Sequence, residues 1–390
     1  MKRLLNLFLI GLLSAQGASL ICYDPALEGI YQACAVKNGL NLTVFGTGFF
    51  RVNSLFPDFI VKLLSGAKIC EPNRPVGKFF YTPNDEYYYA QEHYFEIIKL
   101  PQAWRISRSV RNVAVAVLDS GVQTDHPDLR QNLVLKAYNA YDDNEDVEDY
   151  DGHGTAVSGI IGAVGNNSRG IAGVAWQGRF LLTIKISHDQ TVYLEPVVRA
   201  VNYILRNAKK FNIRVVNLSW GGYERSSILE QLIKKLLAAN ILVIAAAGND
   251  AVDVRQHPLY PAAFKGVLSV ASVAVDPEEG FIDLSDFSNY GNVSIAAPGT
   301  DVATTVPGSQ YGAASGTSFA APIVAGAAAL YMSKHRGATA KQTFEALRIS
   351  CTRMPELEDF VNSGCLLNVH KLLTTKPVKK RNGKKRGRRR

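Results

Sequence analysis

Short unbroken apolar runs alternate along most of this chain with longer stretches in which apolar residues recur every three or four positions. Residues 113–118, VAVAVL, form one such run, the pattern of a strand covered on both faces. Residues 180–186, 213–218, 241–247 and 267–273 repeat it. Between them, residues 194–211 and 227–239 carry the one-sided apolar spacing of amphipathic helices. Alternation of this kind over more than two hundred residues predicts an α/β fold, a doubly wound and mostly parallel sheet flanked by helices. Nearer the N-terminus, residues 42–52 form one strand-like run.

One stretch departs from both patterns. In residues 312–330, GAASGTSFAAPIVAGAAAL, small and apolar residues cover every face, so a helix there must be buried all round. A turn at residues 315–318 leads into it, and Pro322 is expected within its first turn, where a missing N–H is tolerated. Such a helix is either a packing element or a device that aims its first N–H groups and positive dipole end at a reacting group.

Composition adds the domain plan. With 390 residues, 47% hydrophobic and 20% charged, the chain has room for one large domain plus appendages. Lys2 and Arg3, an apolar run over 4–13 and small residues over 14–19 predict a signal peptide over residues 1–18, too short to span a bilayer comfortably. Secretion to an extracellular or periplasmic space is therefore expected. Residues 19–80 hold no acid, base and nucleophile together and are expected to be a pro-segment or a small N-terminal domain. The main domain is expected over residues 81–375. The net charge of +9 is concentrated in residues 376–390, and without the ten cations there the balance becomes −1. That tail is either solvated or a contact for anionic surfaces. Five cysteines are present, none between residues 106 and 350, so thiols take no part in the chemistry. Local pairs Cys22–Cys34 and Cys351–Cys365 are the simplest disulfides, which leaves Cys70 over.

Candidate chemistry gathers at element edges. Asp119 closes the first main-domain strand run, at the edge where open α/β sheets build their sites. His153 stands between two glycines in DGHGT, which allows close approach of substrate and backbone. Asn249 follows another strand run in AAAGN, and Ser318 opens the buried stretch in GTSFAAP. In chain order these give Asp, His, Ser. Together the four pieces resemble a subtilisin-family serine peptidase over roughly residues 80–375.

The resemblance implies the roles. Ser318 would be the nucleophile, His153 its general base and acid, and Asp119 the group fixing the imidazole. Asn249, with the Ser318 amide, would form the oxyanion hole. Extended peptide would pair along Leu218, Ser219, Trp220 and Gly221 on one side and Ala246, Ala247 and Gly248 on the other, a mode that tolerates many side chains. Leu259 would floor the primary pocket, shortening it against large aromatic residues. Trp220 would narrow a more distant subsite. A structural calcium ion would be held by Asp128, Asn167 and the carbonyls of Gly165, Arg169 and Ile171, while the acidic loop over residues 142–151 is expected to be solvated. The chemistry needs no cofactor. Substrates would be proteins or peptides, the pro-segment an intramolecular inhibitor and the enzyme a monomer. Two other classes remain: a catalytically silent subtilisin-like binding protein, and a nucleic-acid binder resting on the basic tail alone.

Overall fold

The computed structural model describes residues 82–378 apart from residue 135 and residues 277–280, together with the backbone of five strands in residues 18–72. The chain divides into two compact units, residues 1–79 and 80–390. In the first, β1 (Ala18–Tyr23), β2 (Ala33–Lys37), β3 (Leu40–Gly46), β4 (Phe49–Ser54) and β5 (Ile69–Pro72) form an antiparallel sheet in the order β2-β3-β4-β1-β5. The single run expected over residues 42–52 is thus two paired strands, with a register shift at Gly46, where no side chain anchors the strand. The expected Cys22–Cys34 pair does not fit this sheet. Cys22 lies opposite Cys70, whereas Cys34 is on β2, three strands from β1 and so about 14 Å away, twice what a disulfide spans. The predicted signal peptide, apart from its last residue, and the basic tail from residue 379 onward lie outside the described residues.

The second unit is built on a sheet of β6 (Ala114–Asp119), β7 (Tyr138–Asn139), β8 (Leu181–Lys185), β9 (Ile213–Leu218), β10 (Leu242–Ala246), β11 (Leu268–Val275), β12 (Ile282–Leu284), β13 (Ile295–Pro298), β16 (Thr352–Arg353) and β17 (Cys365–Leu366). Its order is β16-β17-β13-β11-β10-β9-β6-β8-β7, with β12 antiparallel to β11 and a parallel run from β17 to β7. A separate hairpin joins β14 (Val302–Val306) to β15 (Gln310–Ala314). The helices are α1 (Glu92–Ile97), α2 (Leu100–Trp104), α3 (His153–Gly162), α4 (Leu194–Phe211), α5 (Ser227–Ala238), α6 (Thr317–Lys334), α7 (Ala340–Ser350) and α8 (Val369–Thr374).

Alternation along the strands sorts the core into two layers. Val115 and Val117 of β6 pack with Val215, Ile244 and Val270 against α3 and α6. Ala114, Ala116 and Leu118 pack with Val216, Leu218 and Val243 against Val197, Val201 and Ile204 of α4 and Leu232, Ile233 and Leu236 of α5. Both faces are covered, which is why the strands read as continuous apolar runs. The second expected disulfide, Cys351–Cys365, is present and ties the residue after α7 to β17.

The path of the chain positions the site. From β6 the sheet grows first toward β8 and β7, then resumes on the other side of β6 with β9, β10 and β11. The order therefore reverses at β6, and a crevice opens at the carboxyl ends of β6, β9 and β10. Asp119, Ser219 and Asn249 lie at or just beyond those ends. Into the same region comes the start of α6, buried from Phe319 to Met332. Pro322 is the sixth residue of α6, not in its first turn as expected. Its ring removes the N–H that would have bonded the Ser318 carbonyl. That carbonyl instead accepts from the Ser219 hydroxyl at 2.7 Å.

Candidate active site

Asp119 is 4% exposed, and its Oδ1 accepts from the Ser120 amide at 2.8 Å. The same oxygen meets His153 Nδ1 at 2.7 Å. A carboxylate can only accept, so Nδ1 carries the proton and Nε2 is left as the basic nitrogen. Burial alone would lower the His153 pKa. The charge and hydrogen bond of Asp119 outweigh it, Asp151 and Asp149 add to them, and the pKa is raised to about 9.

A second carboxylate, which the sequence motifs did not single out, locks this pair. Asp149 is buried, and its Oδ1 accepts from the Ser120 hydroxyl at 2.8 Å and the Gly152 amide at 2.9 Å. Its Oδ2 accepts from the Thr155 amide at 2.8 Å and the Thr155 hydroxyl at 2.6 Å. The Ser120 hydroxyl in turn accepts from the Gly154 amide at 2.8 Å. The turns bearing Asp119 and His153 are thereby held together at residues adjacent to both. Its place two residues before DGHGT, on an otherwise solvated acidic loop, was the available signal.

Ser318 is the second residue of α6. Its hydroxyl donates to the Ser219 carbonyl at 2.9 Å, so in this state the proton points at β9's extension rather than at His153. Next to it, Thr317 fixes Asn249: the Thr317 amide and hydroxyl both donate to Asn249 Oδ1 at 2.8 Å. This leaves Asn249 Nδ2, which makes no hydrogen bond among the described residues, as a donor beside the start of α6. Thr317 was also missed, although it sits in the GTS motif beside Ser318. Gly248 precedes Asn249 at φ +109°, a conformation that a side chain would strain.

These groups line one cavity of about 480 Å³. It holds Asp119, His153, Ser318 and Asn249 with Ser219, Trp220, Gly221, Ala246, Gly248 and Leu259. Leu218 and Ala247, expected to contact substrate, are not in its lining. Leu218 points into the α4/α5 layer and Ala247 packs with Ala271 and Val273, because successive strand residues face opposite sides. Leu259 stands between the two walls of the cavity. A Cβ placed on Gly221 would lie 2.5 Å from a Leu259 methyl, and one on Gly248 3.1 Å from the same methyl. Trp220 Nε1 donates to the Leu118 carbonyl at 3.0 Å, pinning the indole at the rim.

The expected calcium residues come together only in part. Asn167 Nδ2 donates to Asp128 Oδ1 at 2.7 Å, and the Ile171 amide donates to Asp128 Oδ2 at 3.2 Å. The Arg169 amide donates to Asn167 Oδ1 at 2.9 Å. Asp85, not singled out from the sequence, joins the loop by accepting from the amides of Asn166 at 2.7 Å and Asn167 at 3.3 Å. Burial raises the pKa of Asp85 and of Asp128, and for Asp85 the charge of Asp128 adds to the rise. Among the described residues no group of three or more His, Cys, Asp or Glu side chains converges as a metal cluster.

A doubly wound sheet with an Asp–His pair, a helix-borne serine and a fixed amide donor at its carboxyl edge defines a serine hydrolase of the α/β class. The chain belongs to the subtilase family, whose profile it matches over residues 110–363. It is 35% identical over 260 residues to thermitase from Thermoactinomyces vulgaris, covering 66% of this chain and 88% of that protein. It is 34% identical to a thermophilic serine proteinase from Bacillus sp. strain AK1, covering 71% of this chain and 67% of that one. Among solved structures it is similar to proteases from Pseudoalteromonas arctica, with a TM-score of 0.65 at 27% identity, covering 75% of this chain and 99% of that one. It is a serine-type endopeptidase of the subtilisin-like kind.

Proposed function

We propose that this protein is a secreted endopeptidase, made as a precursor, that cleaves peptide bonds through an acyl-enzyme on Ser318. The observation that carries the residue assignment is the convergence, in one cavity, of the 2.7 Å Asp119–His153 bond, the Ser318 hydroxyl and the Asn249 amide fixed by Thr317. In the productive state the Ser318 hydroxyl turns from the Ser219 carbonyl to His153 Nε2, which takes its proton as Oγ attacks the scissile carbonyl. Asn249 Nδ2 and the Ser318 amide then meet the oxyanion. His153 returns the proton to the leaving amine, and water repeats the sequence to release the acid. Asp119 holds the imidazole in place throughout.

Peptide backbone pairs with Ser219–Gly221, and Ala246 and Gly248 border the same path, so cleavage is broad. Leu259, wedged between Gly221 and Gly248, shortens the primary pocket and disfavours Phe and Tyr before the scissile bond. Residues 19–80 act as the pro-segment, an intramolecular inhibitor that is removed on maturation. We assign a structural calcium ion to the 165–171 loop, held by Asp128 with Asp85, by the loop carbonyls and by Asn167 once its amide oxygen faces the ion. Two partly buried carboxylates, with no Lys or Arg salt bridge to either among the described residues, support this reading.

The reading is tested by labelling with a serine-directed fluorophosphonate. Processed wild-type protein is expected to label and Ser318→Ala not at all. Equal labelling of both proteins, or none of the folded wild type, refutes it.

A further inference from the structure

Asn289 lies in the loop between β12 and β13, touches none of the reacting groups and is 0% exposed. Its side chain can accept two hydrogen bonds and donate two, and all four are made. Oδ1 accepts from the amides of Asp250 at 3.0 Å and Val252 at 3.2 Å. Nδ2 donates to the Ala247 carbonyl at 3.0 Å and the Tyr223 hydroxyl at 3.3 Å. The Asn289 amide donates to the Gly248 carbonyl at 2.9 Å. Four of these partners, residues 247, 248, 250 and 252, bracket Asn249 on both sides.

The clamped loop would not keep this shape unaided. Gly248 is at φ +109° and Ala251 at φ +54°, the latter a left-handed conformation that a side chain strains. The fit is also steric, since a Cβ on Gly248 would collide with Asn289 Nδ2. An apolar residue in place of Asn289 would leave the buried Ala247 carbonyl and the amides of Asp250 and Val252 without these partners. Asn249 is therefore held twice: Thr317 fixes the orientation of its side-chain amide, and Asn289 fixes the backbone that carries it.

We propose that Asn289 is a positioning residue for catalysis, setting the 247–252 loop so that Asn249 Nδ2 lies where the oxyanion forms. The proposal rests on Asn249 being the oxyanion donor. A misplacement of about 1 Å is enough to cost such a donor much of its effect.

The test is a double-substitution cycle in the full chain, with kcat normalised to active sites counted by fluorophosphonate titration. Asn289→Ala is expected to lower kcat on an amide substrate by about 10- to 100-fold, with KM within about twofold. Affinity for a peptide boronic acid, which forms a tetrahedral adduct, should fall in parallel with kcat. On an Asn249→Ala background the same substitution should change kcat by less than about twofold, because the donor it positions is already gone. Should the alanine variant not fold, Asn289→Asp, which keeps both accepted bonds but loses the two donated ones, goes through the same cycle. An equal kcat loss on both backgrounds, a rise in KM alone, or no change overturns the proposal. If Asn249→Ala itself leaves kcat intact, the oxyanion assignment fails instead.

Discussion

At His153, burial and charge pull in opposite directions, and charge wins. As the proposed base, His153 must be neutral to accept the Ser318 proton, so a pKa raised to about 9 means that the active form fills only as the pH climbs. The kcat/KM profile should rise about tenfold per pH unit below that value and level off above it. A profile flat from pH 7 to 10 would contradict the assignment. The sign for stability is the reverse. A raised pKa makes the His153–Asp119 attraction fully present below the ordinary histidine value of 6.5 and lost as the pH passes about 9. Leu259 gives a second expectation. Leu259→Gly should deepen the primary pocket and raise kcat/KM for Phe at the first site by at least about tenfold relative to Ala. An unchanged preference in a peptide library would mean that the wedge does not limit depth. The motif residues Asp119, His153, Asn249 and Ser318 could be found in the sequence because each sits in a glycine-flanked signature. Thr317 and Asn289 could not, because their part lies in bonds to the 247–252 loop far away in sequence, and Asp149 was marked only by its place just before DGHGT.

The strands and amphipathic helices follow from burial patterns that the sequence displays openly. The predicted helix over residues 194–211 has the observed bounds, and, α6 apart, the other predicted strands and helices of the main domain end within two residues of the observed ones. What the pattern could not resolve is α6, where apolar residues on every face give no direction and no phase. Pro322 was placed one turn too early because helix starts are marked by caps, and Gly316 offers no side-chain cap. The helix is packed without slack. A Cβ on Gly326 would lie 2.7 Å from Val174 Cβ, and 3.2 Å from the Ile161 carbonyl. Gly326→Ala should therefore destabilise the fold by about 1–3 kcal/mol in urea titration, despite the better helix propensity of alanine. Added stability would show that the α3–α6 contact has room to spare.

For the whole molecule, the α/β architecture and a site at the carboxyl edge of its strands were legible from the alternation of runs. The strand pairing of the N-terminal unit was not, because a sheet built by distant strands leaves no mark in local spacing. The proposed calcium ion is a property at this scale, since its cage joins Asp85, Asp128 and the 165–171 loop. Excess chelator should lower the melting temperature by about 5–10 °C, the effect of losing a ligand held near a hundred times its dissociation constant. Asp128→Asn should remove most of that sensitivity. Unchanged melting with chelator would dismiss the ion.

The two bonds between Ser219 and Ser318 carry a kinetic consequence. Each residue's hydroxyl donates to the other's carbonyl, and Pro322 frees the Ser318 carbonyl for its share. Under the proposed roles the segment that receives the peptide is thus tied to the residue that attacks it. The Ser318 hydroxyl gives up its own bond when it turns to His153, while the Ser219 hydroxyl keeps hold of the start of α6. Attack then needs a hydroxyl rotation rather than a shift of the helix.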